Sequence, residues 1–192
     1  SREPSSLSNP SNALVFGILG AGLIGRKRAE ALRALGVKVA AFADASPSRA
    51  GELASAFGAE ALPPAALIAR KDINAIVVAT FHDSLAHLAI QALEAGKHVL
   101  VEKPAGLNLA DLERLRLAAE AAPGKLAVGY NHRFHPALFK AREIVASGEL
   151  GPFLYIRAHY GHGGRLGYEK EWRADPARSG GGELIDQGVE VH

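Results

Sequence analysis

Predominantly apolar runs and helix-like spacings alternate along the chain up to residue 130. The apolar runs are typical of strands buried in a parallel sheet, and they occupy residues 13–20, 37–44, 73–80, 98–102 and 126–130. The segments between them carry apolar residues at helical spacing, at 23–36, 46–58, 83–96 and 109–122. This alternation predicts βαβ units, a parallel sheet and right-handed crossovers, which is an α/β fold.

Two of the predicted helices carry more specific signals. The first is expected to place four apolar residues on one face, namely Ile24, Ala31, Leu32 and Leu35. In the second, Ser46 stands where a helix cap is expected and Pro47 fits the first helical turn.

The pattern changes near residue 135. Residues 135–151 have helical spacing, residues 152–161 alternate like a strand with one exposed face, and a Gly/Arg-rich stretch follows. We therefore expect a flexible polar tail at 1–12, an α/β domain at 13–134 and a partial α+β domain at 135–192. Because a single strand cannot form a sheet, we expect its open edge to be met by another copy, by disorder or by further residues.

A glycine-rich hexapeptide, Gly20-Ala21-Gly22-Leu23-Ile24-Gly25, joins the first strand to the first helix. In a G-x-G-x-x-G turn the glycines allow a tight turn, a close approach of backbone to a pyrophosphate, and close packing of helix on strand. The N–H groups of the helix N-terminus would then meet the phosphates. The competing interpretation is an ordinary structural turn.

Asp44 ends the second strand, near the distance from the glycines at which a carboxylate grips the ribose 2′-hydroxyl of a dinucleotide. Its alternative role is to cap the following helix. A carboxylate at this position favours NAD because it repels a 2′-phosphate, whereas the neighbouring Ser46 and Arg49 would let the site tolerate NADP.

Glu102-Lys103-Pro104 directly follows the strand at 98–102 and so lies at the edge of the sheet where α/β proteins bind ligands. A lysine there can hold a substrate oxygen and exchange its proton while a hydride moves to or from the carbon. The alternative, which spacing alone favours, is a solvated Glu–Lys pair before a proline turn.

Composition narrows the function further. The chain has 192 residues, a formal net charge of +2 and no cysteine. With no Lys/Arg run we expect no nucleic-acid binding, and with no apolar run near the roughly 20 residues of a membrane span we expect no membrane insertion. The lack of cysteine excludes disulfides and thiolate sites and fits a cytoplasmic protein. No histidine cluster predicts a metal site.

Four segments together resemble the Gfo/Idh/MocA family of NAD(P)-dependent oxidoreductases: "GILGAGLIG", "AGKHVLVEKPAG", "GYNHRFHPAL" and "WRADPARSGGGELIDQG". The resemblance implies a Rossmann domain with a doubly wound parallel sheet, followed by an α+β substrate domain whose open sheet often mediates oligomers. It also implies a sugar, nucleotide-sugar or polyol as substrate, and a homo-oligomer, either a dimer or a tetramer.

Several site residues follow from the resemblance. Lys103 matches the family's proton donor and acceptor, and Glu102 its neighbour. Thr80 matches a threonine that meets the nicotinamide side of the cofactor, while Phe81 and His82 depart from the family's T-P-N pattern at that contact. Asn131 matches a residue near nicotinamide and substrate, although a turn residue is its plain alternative.

The family histidine of that T-P-N-x-x-H segment has no counterpart at the matching position, which is Leu85. His87 comes two residues later, and we expect it to lie on the surface of a helix instead.

Residues 161–176 are expected to form the specificity loop. Trp172 and Arg173 match a family W-R pair over the active site, and further donors suited to hydroxyls, carboxylates or a diphosphate are His162, Arg165, Tyr168 and Lys170. Arg165 and Arg173 favour an anionic substrate. The alternative is an exposed loop whose charges meet only water.

The last residues match the family pattern G-G-G-x-x-x-D-x-G-x-H only in part. Asp186 and Gly188 fit, but Glu190 occupies the histidine position and His192 comes two residues later. Either Glu190 changes the acid/base apparatus, or this end is not native sequence or borders a gap, which is the interpretation that we favour.

These observations predict hydride transfer between a nicotinamide and a carbinol or ketone carbon. Lys103 would handle the proton, and Asp186 would orient the substrate or tune Lys103. The alternative is a dinucleotide-binding sensor or scaffold of the same fold without catalysis.

Overall fold

The computed structural model describes residues 14–188, apart from 153, 158 and 160–165. The side chains of Tyr168, Glu183 and Leu184 are not described either. The predicted tail at 1–12 and the roles considered for His162, Arg165, Glu190 and His192 therefore lie outside the described residues, as does the substrate contact expected of the Tyr168 side chain.

Six parallel strands form one sheet in the order β3-β2-β1-β4-β5-β6. The strands are β1 Val15–Leu19, β2 Lys38–Ala43, β3 Glu60–Ala61, β4 Ala75–Val78, β5 His98–Val101 and β6 Leu126–Val128. The chain order reverses between β1 and β4, as in doubly wound sheets that bind ligands at this point. The predicted parallel sheet is confirmed.

Helices connect the strands and continue beyond the sheet. They are α1 Leu23–Ala34, α2 Pro47–Phe57, α3 Pro64–Ala69, α4 His82–Glu94, α5 Leu109–Ala121, α6 Pro136–Ala146, α7 Pro176–Ser179 and α8 Gly182–Asp186. The sequence pattern did not predict β3 and α3, because elements of two and six residues are too short to show a period. None of the helices in the described part of the chain has the length and apolar character that crossing a membrane requires.

The core consists of two apolar clusters, one on each face of the sheet. Ile76 and Val78 of β4 point into one cluster, and Val77 between them points into the other. Because side chains of a strand alternate between faces, a strand covered on both sides must be apolar throughout. This explains why the strands are visible in the sequence as apolar runs.

The predicted apolar face of α1 is wrong. The helix buries Gly25 and Ala29, with Leu32 partly buried, whereas Ile24 and Ala31 are exposed and Leu35 is 77% exposed. A Cβ on Gly25 would lie 1.8 Å from the carbonyl oxygen of Gly20, so the helix lies almost on the backbone of the turn. That close approach turns the small residues inward and leaves the larger ones outside.

Ser46 occupies the predicted cap position of α2, but the hydrogen bond expected from a capping side chain is absent. Ser46 precedes α2 and Pro47 opens the helix, yet the Ser46 side chain makes no capping hydrogen bond. Its hydroxyl instead lies 3.0 Å from the Ser48 hydroxyl, and its N–H donates to Asp44 Oδ1 at 2.8 Å. Asp44 thereby organises the entry to this helix.

The helix predicted near 135–151 is confirmed as α6, but the strand predicted at 152–161 is wrong for the described residues. There the backbone forms no strand, and Leu154 is 93% exposed. A strand needs a neighbour to accept and donate its backbone hydrogen bonds, and no strand in the described part of the chain pairs with this segment.

Two glycine substitutions test the close packing of α1. Gly25→Ala should lower the free energy of unfolding by about 1–3 kcal/mol, because the new methyl group meets backbone that cannot move freely. Gly51→Ala in α2 is the matched control, since a Cβ there has no neighbour within 4 Å. It should raise that free energy by roughly 0.5–1 kcal/mol. Urea denaturation measures both, and equal effects would contradict the packing argument.

Candidate active site

A cavity of about 760 Å³ opens at the carboxyl ends of β1, β2 and β4. One side is formed by the glycine-rich turn and the ends of these strands, including Gly20, Gly22, Leu23, Ile24, Asp44, Arg49, Thr80 and Phe81. The opposite side is formed by the segment around Trp172, including Glu171, Arg173 and Gln187. The two predicted halves of the site, the turn and the W-R segment, therefore face one another.

The glycines of the turn fulfil separate geometric needs. Gly20 has a φ of +101°, and a Cβ there would lie 2.2 Å from the carbonyl oxygen of Ala79. Gly22 caps α1, and the space where its side chain would be is free of neighbours within 4 Å. The first turn of α1 therefore presents its N–H groups next to an open path for a phosphate. These residues fit the pyrophosphate of a dinucleotide.

Asp44 is held by three groups at the end of β2. Its carboxylate accepts hydrogen bonds from the N–H of Ala21 at 2.7 Å, from the N–H of Ser46 at 2.8 Å and from Arg49 Nη2 at 2.7 Å. Burial raises the pKa of this carboxyl, but the hydrogen bonds from Ser46, Arg49 and Ala21 and the Arg49 charge hold the pKa below its usual value. The ionised carboxylate is thus fixed beside the turn, where it lines the cavity.

Arg49 lines the cavity as well, but its guanidinium is paired with Asp44. Ser46 is not among the residues that line the cavity. Tolerance of NADP through these two residues remains a prediction.

Aromatic rings close the far end of the cavity. The Phe81 ring lies 5.2 Å from the Trp172 ring, and the Arg173 guanidinium lies 4.5 Å over the same Trp172 ring. On the sheet side, the Ser84 hydroxyl donates to Thr80 Oγ1 at 2.9 Å and so fixes that hydroxyl at the cavity wall.

A buried carboxylate lies next to this wall. Asp186 is 3% exposed, and its Oδ1 accepts a 2.8 Å hydrogen bond from Lys103 Nζ. Lys103 also donates to the Asp186 carbonyl oxygen at 2.5 Å, and Arg173 Nε donates to Asp186 Oδ2 at 3.1 Å. Nε2 of His82 lies 3.7 Å from Oδ1. The two predicted catalytic residues, Lys103 and Asp186, are therefore in direct contact.

The surroundings keep Asp186 ionised. Burial raises the pKa of its carboxyl, but the hydrogen bond from Lys103 and the charges of Lys103, Arg173 and His82 together hold that pKa below its usual value. Lys103 and Asp186 do not themselves line the cavity, whereas Arg173 and Gln187, which both donate to Asp186, do. The pair lies one side chain behind the cavity wall, and the Lys103 side chain is 19% exposed.

Two further predicted residues lie away from the cavity. Glu102 accepts a 2.5 Å hydrogen bond from Arg28 of α1, and its carboxylate fills the space beside Gly129. Asn131 begins a short 3-10 helix, Asn131–Phe134, and is exposed. The cofactor and substrate contacts expected of these residues remain predictions. His87 is exposed on α4, as predicted.

The sequence of this chain matches two family models. The model described as an oxidoreductase family with an NAD-binding Rossmann fold, GFO/IDH/MocA, matches residues 14–130, which is more than half of the chain. The chain belongs to the GFO/IDH/MocA family. A second model, described as the GFO/IDH/MocA C-terminal domain, matches residues 139–189. The predicted family, Rossmann fold and NAD cofactor are thereby confirmed.

Individual proteins are also similar to this chain. An inositol 2-dehydrogenase of Rhizobium meliloti (strain 1021) is 37% identical over 140 residues, which cover 71% of this chain and 42% of the relative. A levoglucosan dehydrogenase, solved with NADH and levoglucosan, superposes with a TM-score of 0.83 at 26% identity, over 94% of this chain and 52% of that one.

A third relative binds a cyclic polyol. A scyllo-inositol dehydrogenase from Lactobacillus casei, solved with NAD(H) and scyllo-inositol, superposes with a TM-score of 0.68 at 25% identity, over 73% of this chain and 43% of that one. The present chain thus spans about half the length of the relatives that it matches.

Sequence reasoning missed several residues of this GFO/IDH/MocA site. Ser84, Glu171 and Gln187 line the cavity, although the sequence pattern assigned no contact to any of them. Glu171 and Gln187 do flank predicted residues, Trp172 and Asp186, and that adjacency was the available signal. In the part of the chain that the structure describes, no three His, Asp or Glu side chains are grouped so that they could hold a metal ion.

Gly22 offers a direct test of cofactor binding. Gly22→Val should weaken NAD binding at least about tenfold, because the side chain enters the path of the pyrophosphate. It should lower the unfolding midpoint by only a few degrees, since nothing lies within 4 Å of that side chain and the cost is that of a poorer helix cap. Fluorescence titration with NADH and thermal unfolding measure the two effects. Undiminished NADH affinity in this variant would mean that the dinucleotide binds elsewhere.

The ionised carboxylate of Asp186 makes the free energy of unfolding depend on pH. Because the folded pKa of Asp186 is below its unfolded value, its stabilising effect is present above the unfolded pKa and is lost as pH falls through the folded one. The free energy of unfolding of the wild type should therefore exceed that of Asp186→Asn near about pH 6, and the difference should shrink toward about pH 3. Urea denaturation over this range measures it, and a constant difference would refute the ionised pair.

Proposed function

We propose that the protein is an NAD-dependent oxidoreductase that transfers a hydride between nicotinamide and a CH–OH or C=O carbon of a cyclic polyol or sugar. The observation that carries this proposal is the contact between Lys103 and the buried Asp186, one side chain behind the wall of the dinucleotide cavity. An ammonium held beside a carboxylate at that place is suited to exchange a proton with a substrate oxygen.

Each residue has a distinct task in this reaction. The nicotinamide supplies or takes the hydride when bound. As a neutral amine, Lys103 Nζ takes the proton of a substrate hydroxyl that is oxidised to a carbonyl; as an ammonium, it gives its proton to a carbonyl oxygen that is reduced to a hydroxyl. Asp186 keeps the ammonium oriented and balances its charge in a buried place, where an unpaired charge would be costly.

The charges around the cavity favour a neutral polyhydroxyl substrate over an anion. Arg173 is paired with Asp186 at 3.1 Å and with Glu171 at 3.3 Å, so its positive charge is already balanced. The two relatives solved with substrate hold levoglucosan and scyllo-inositol, both of them neutral and rich in hydroxyls. Gln187, Glu171 and the Arg173 guanidinium offer donors and acceptors for such hydroxyls at the cavity wall.

Assembly into a homo-oligomer and a cytoplasmic location remain predictions. The non-catalytic alternative becomes an outcome of the experiment below.

Substitution of Lys103 tests the proposal. Lys103→Met in the full chain should lower turnover of myo-inositol or levoglucosan with NAD by about 100-fold or more, because the proton acceptor is lost. NAD affinity should change little, since Lys103 does not line the cavity. Absorbance of NADH measures turnover, and calorimetry measures affinity.

The control is Lys140→Met in α6, whose side chain is 71% exposed and paired with Glu143. It should leave both quantities unchanged. Full turnover in Lys103→Met would show that another group moves the proton. Tight NAD binding by a wild type that oxidises no polyol or sugar in a panel would instead support the non-catalytic sensor or scaffold.

A further inference from the structure

His82 is a buried ionisable side chain behind the wall of the cavity, and the proposed reaction assigns it no task. It begins α4, is 5% exposed, and is not among the residues that line the cavity. Its ring meets the Trp172 ring edge-on at 4.6 Å between centroids. The side chain is therefore shielded from bulk water and from a ligand in the cavity.

One ring nitrogen of His82 has a defined role. Nδ1 lies 3.1 Å from the carbonyl oxygen of Ser179, the last residue of α7. A carbonyl oxygen can only accept, so Nδ1 carries a hydrogen and donates it. This bond ties the start of α4 to the end of α7, seven residues before Asp186 in the chain.

The other ring nitrogen faces the reacting pair. Nε2 lies 3.7 Å from Asp186 Oδ1, which is the oxygen that accepts the hydrogen bond from Lys103 Nζ at 2.8 Å. In the neutral ring with a hydrogen on Nδ1, Nε2 has a lone pair and cannot donate to this oxygen. A protonated ring can donate from Nε2 and then competes with Lys103 for the same atom.

We propose that His82 is a positioning residue for the Lys103–Asp186 pair: it anchors the segment that carries Asp186 through Ser179, and on protonation it draws Oδ1 away from Lys103. When His82 is neutral, Asp186 Oδ1 keeps its hydrogen bond from Lys103. When His82 is protonated, Oδ1 accepts from His82 instead and the hydrogen bond from Lys103 is lost. The effect of this on turnover rests on the proposed function, whereas the coupling between the three side chains does not.

The charged groups that face His82 come from three elements. They are Asp186 from α8, Lys103 from the turn after β5, and Arg173 from the 3-10 helix Trp172–Ala174. Burial lowers the pKa of His82, and so do the charges of Lys103 and Arg173. The hydrogen bond to Ser179 and the charge of Asp186 raise that pKa, but the lowering effects are larger, so the pKa lies below its usual 6.5. His82 is accordingly neutral at neutral pH and becomes protonated at acidic pH.

Side-chain NMR titration of the labelled full chain tests the coupling without any turnover. In the wild type, the Lys103 side-chain signal should show a step at the pH where the His82 imidazole signal titrates, below 6.5. In His82→Phe, which keeps a ring in place, the Lys103 step should be absent. In Asp186→Asn, the His82 titration should move to lower pH, because the carboxylate that favours the charged ring is gone.

Kinetic measurements on His82 variants distinguish a positioning role of this residue from a role in packing alone. His82→Phe should lower kcat roughly tenfold with little change in the KM for NAD, because the pair is misplaced while the cofactor cleft is intact. His82→Asn keeps a side-chain N–H near the place of Nδ1, so it should recover part of kcat. Like His82→Phe, it should lack the fall in kcat/KM that the wild type shows as pH drops through the His82 titration. His87→Phe, on the exposed face of the same helix, is the matched control and should match the wild type.

Two results would overturn the inference. One is a wild-type Lys103 signal that does not respond when His82 titrates, and the other is a step that persists in His82→Phe. Failure of the wild type to oxidise any polyol would refute the proposed function instead, and the NMR titrations would still decide the role of His82.

Discussion

The buried carboxylate of Asp186 connects the segment 166–188 to the parallel sheet, and the hydrogen bond between His82 and Ser179 and the ring contact between Phe81 and Trp172 support this connection. An ionised carboxylate that is removed from water must be surrounded by donors and by opposite charge, or it is lost to protonation. Here the donors come from distant parts of the sequence: Lys103 from the end of β5, and Arg173 from the segment before α7. Because Lys103 and Arg173 both balance the charge of Asp186, they hold the segment 166–188 against the edge of the parallel sheet.

The two sides of the cleft are built on different physical principles. The cofactor side depends on backbone: a turn in which Gly20 and Gly25 admit close approach, and a helix N-terminus that offers its N–H groups. The opposite side depends on side chains, with the rings of Phe81 and Trp172 in contact and the charges of Asp186, Lys103 and Arg173 in mutual balance. Backbone geometry tolerates sequence change outside the glycines, whereas a charge network changes with each of its members.

The sheet and the dinucleotide turn could be predicted because both follow from local patterns. A strand buried on both faces must be apolar throughout, and a turn that needs Gly20 and Gly25 shows those glycines at fixed spacing. The apolar face of α1 could not be predicted by counting residues. The rotation of that helix is set by the approach of Gly25 to the Gly20 carbonyl, which is a contact and not a period. Similarly, alternation at 152–161 indicated a strand, but the described residues of this segment form none, because a strand exists only where another backbone pairs with it.

The sequence by itself determined the family, the longer strands and helices of the parallel sheet and the glycine turn, and it singled out Lys103 and Asp186, whose catalytic roles remain predictions. Each of these depends on residue type and spacing along the chain. Only the tertiary structure decided that Arg173 serves Asp186, that Glu102 turns toward Arg28, and that His82 lies beside the carboxylate with its other nitrogen on Ser179. Those partners are separated by 13 positions, for Arg173 and Asp186, to 104 positions, for His82 and Asp186. Their meeting depends on how α1, α4, α7 and α8 pack, and no local pattern carries that information.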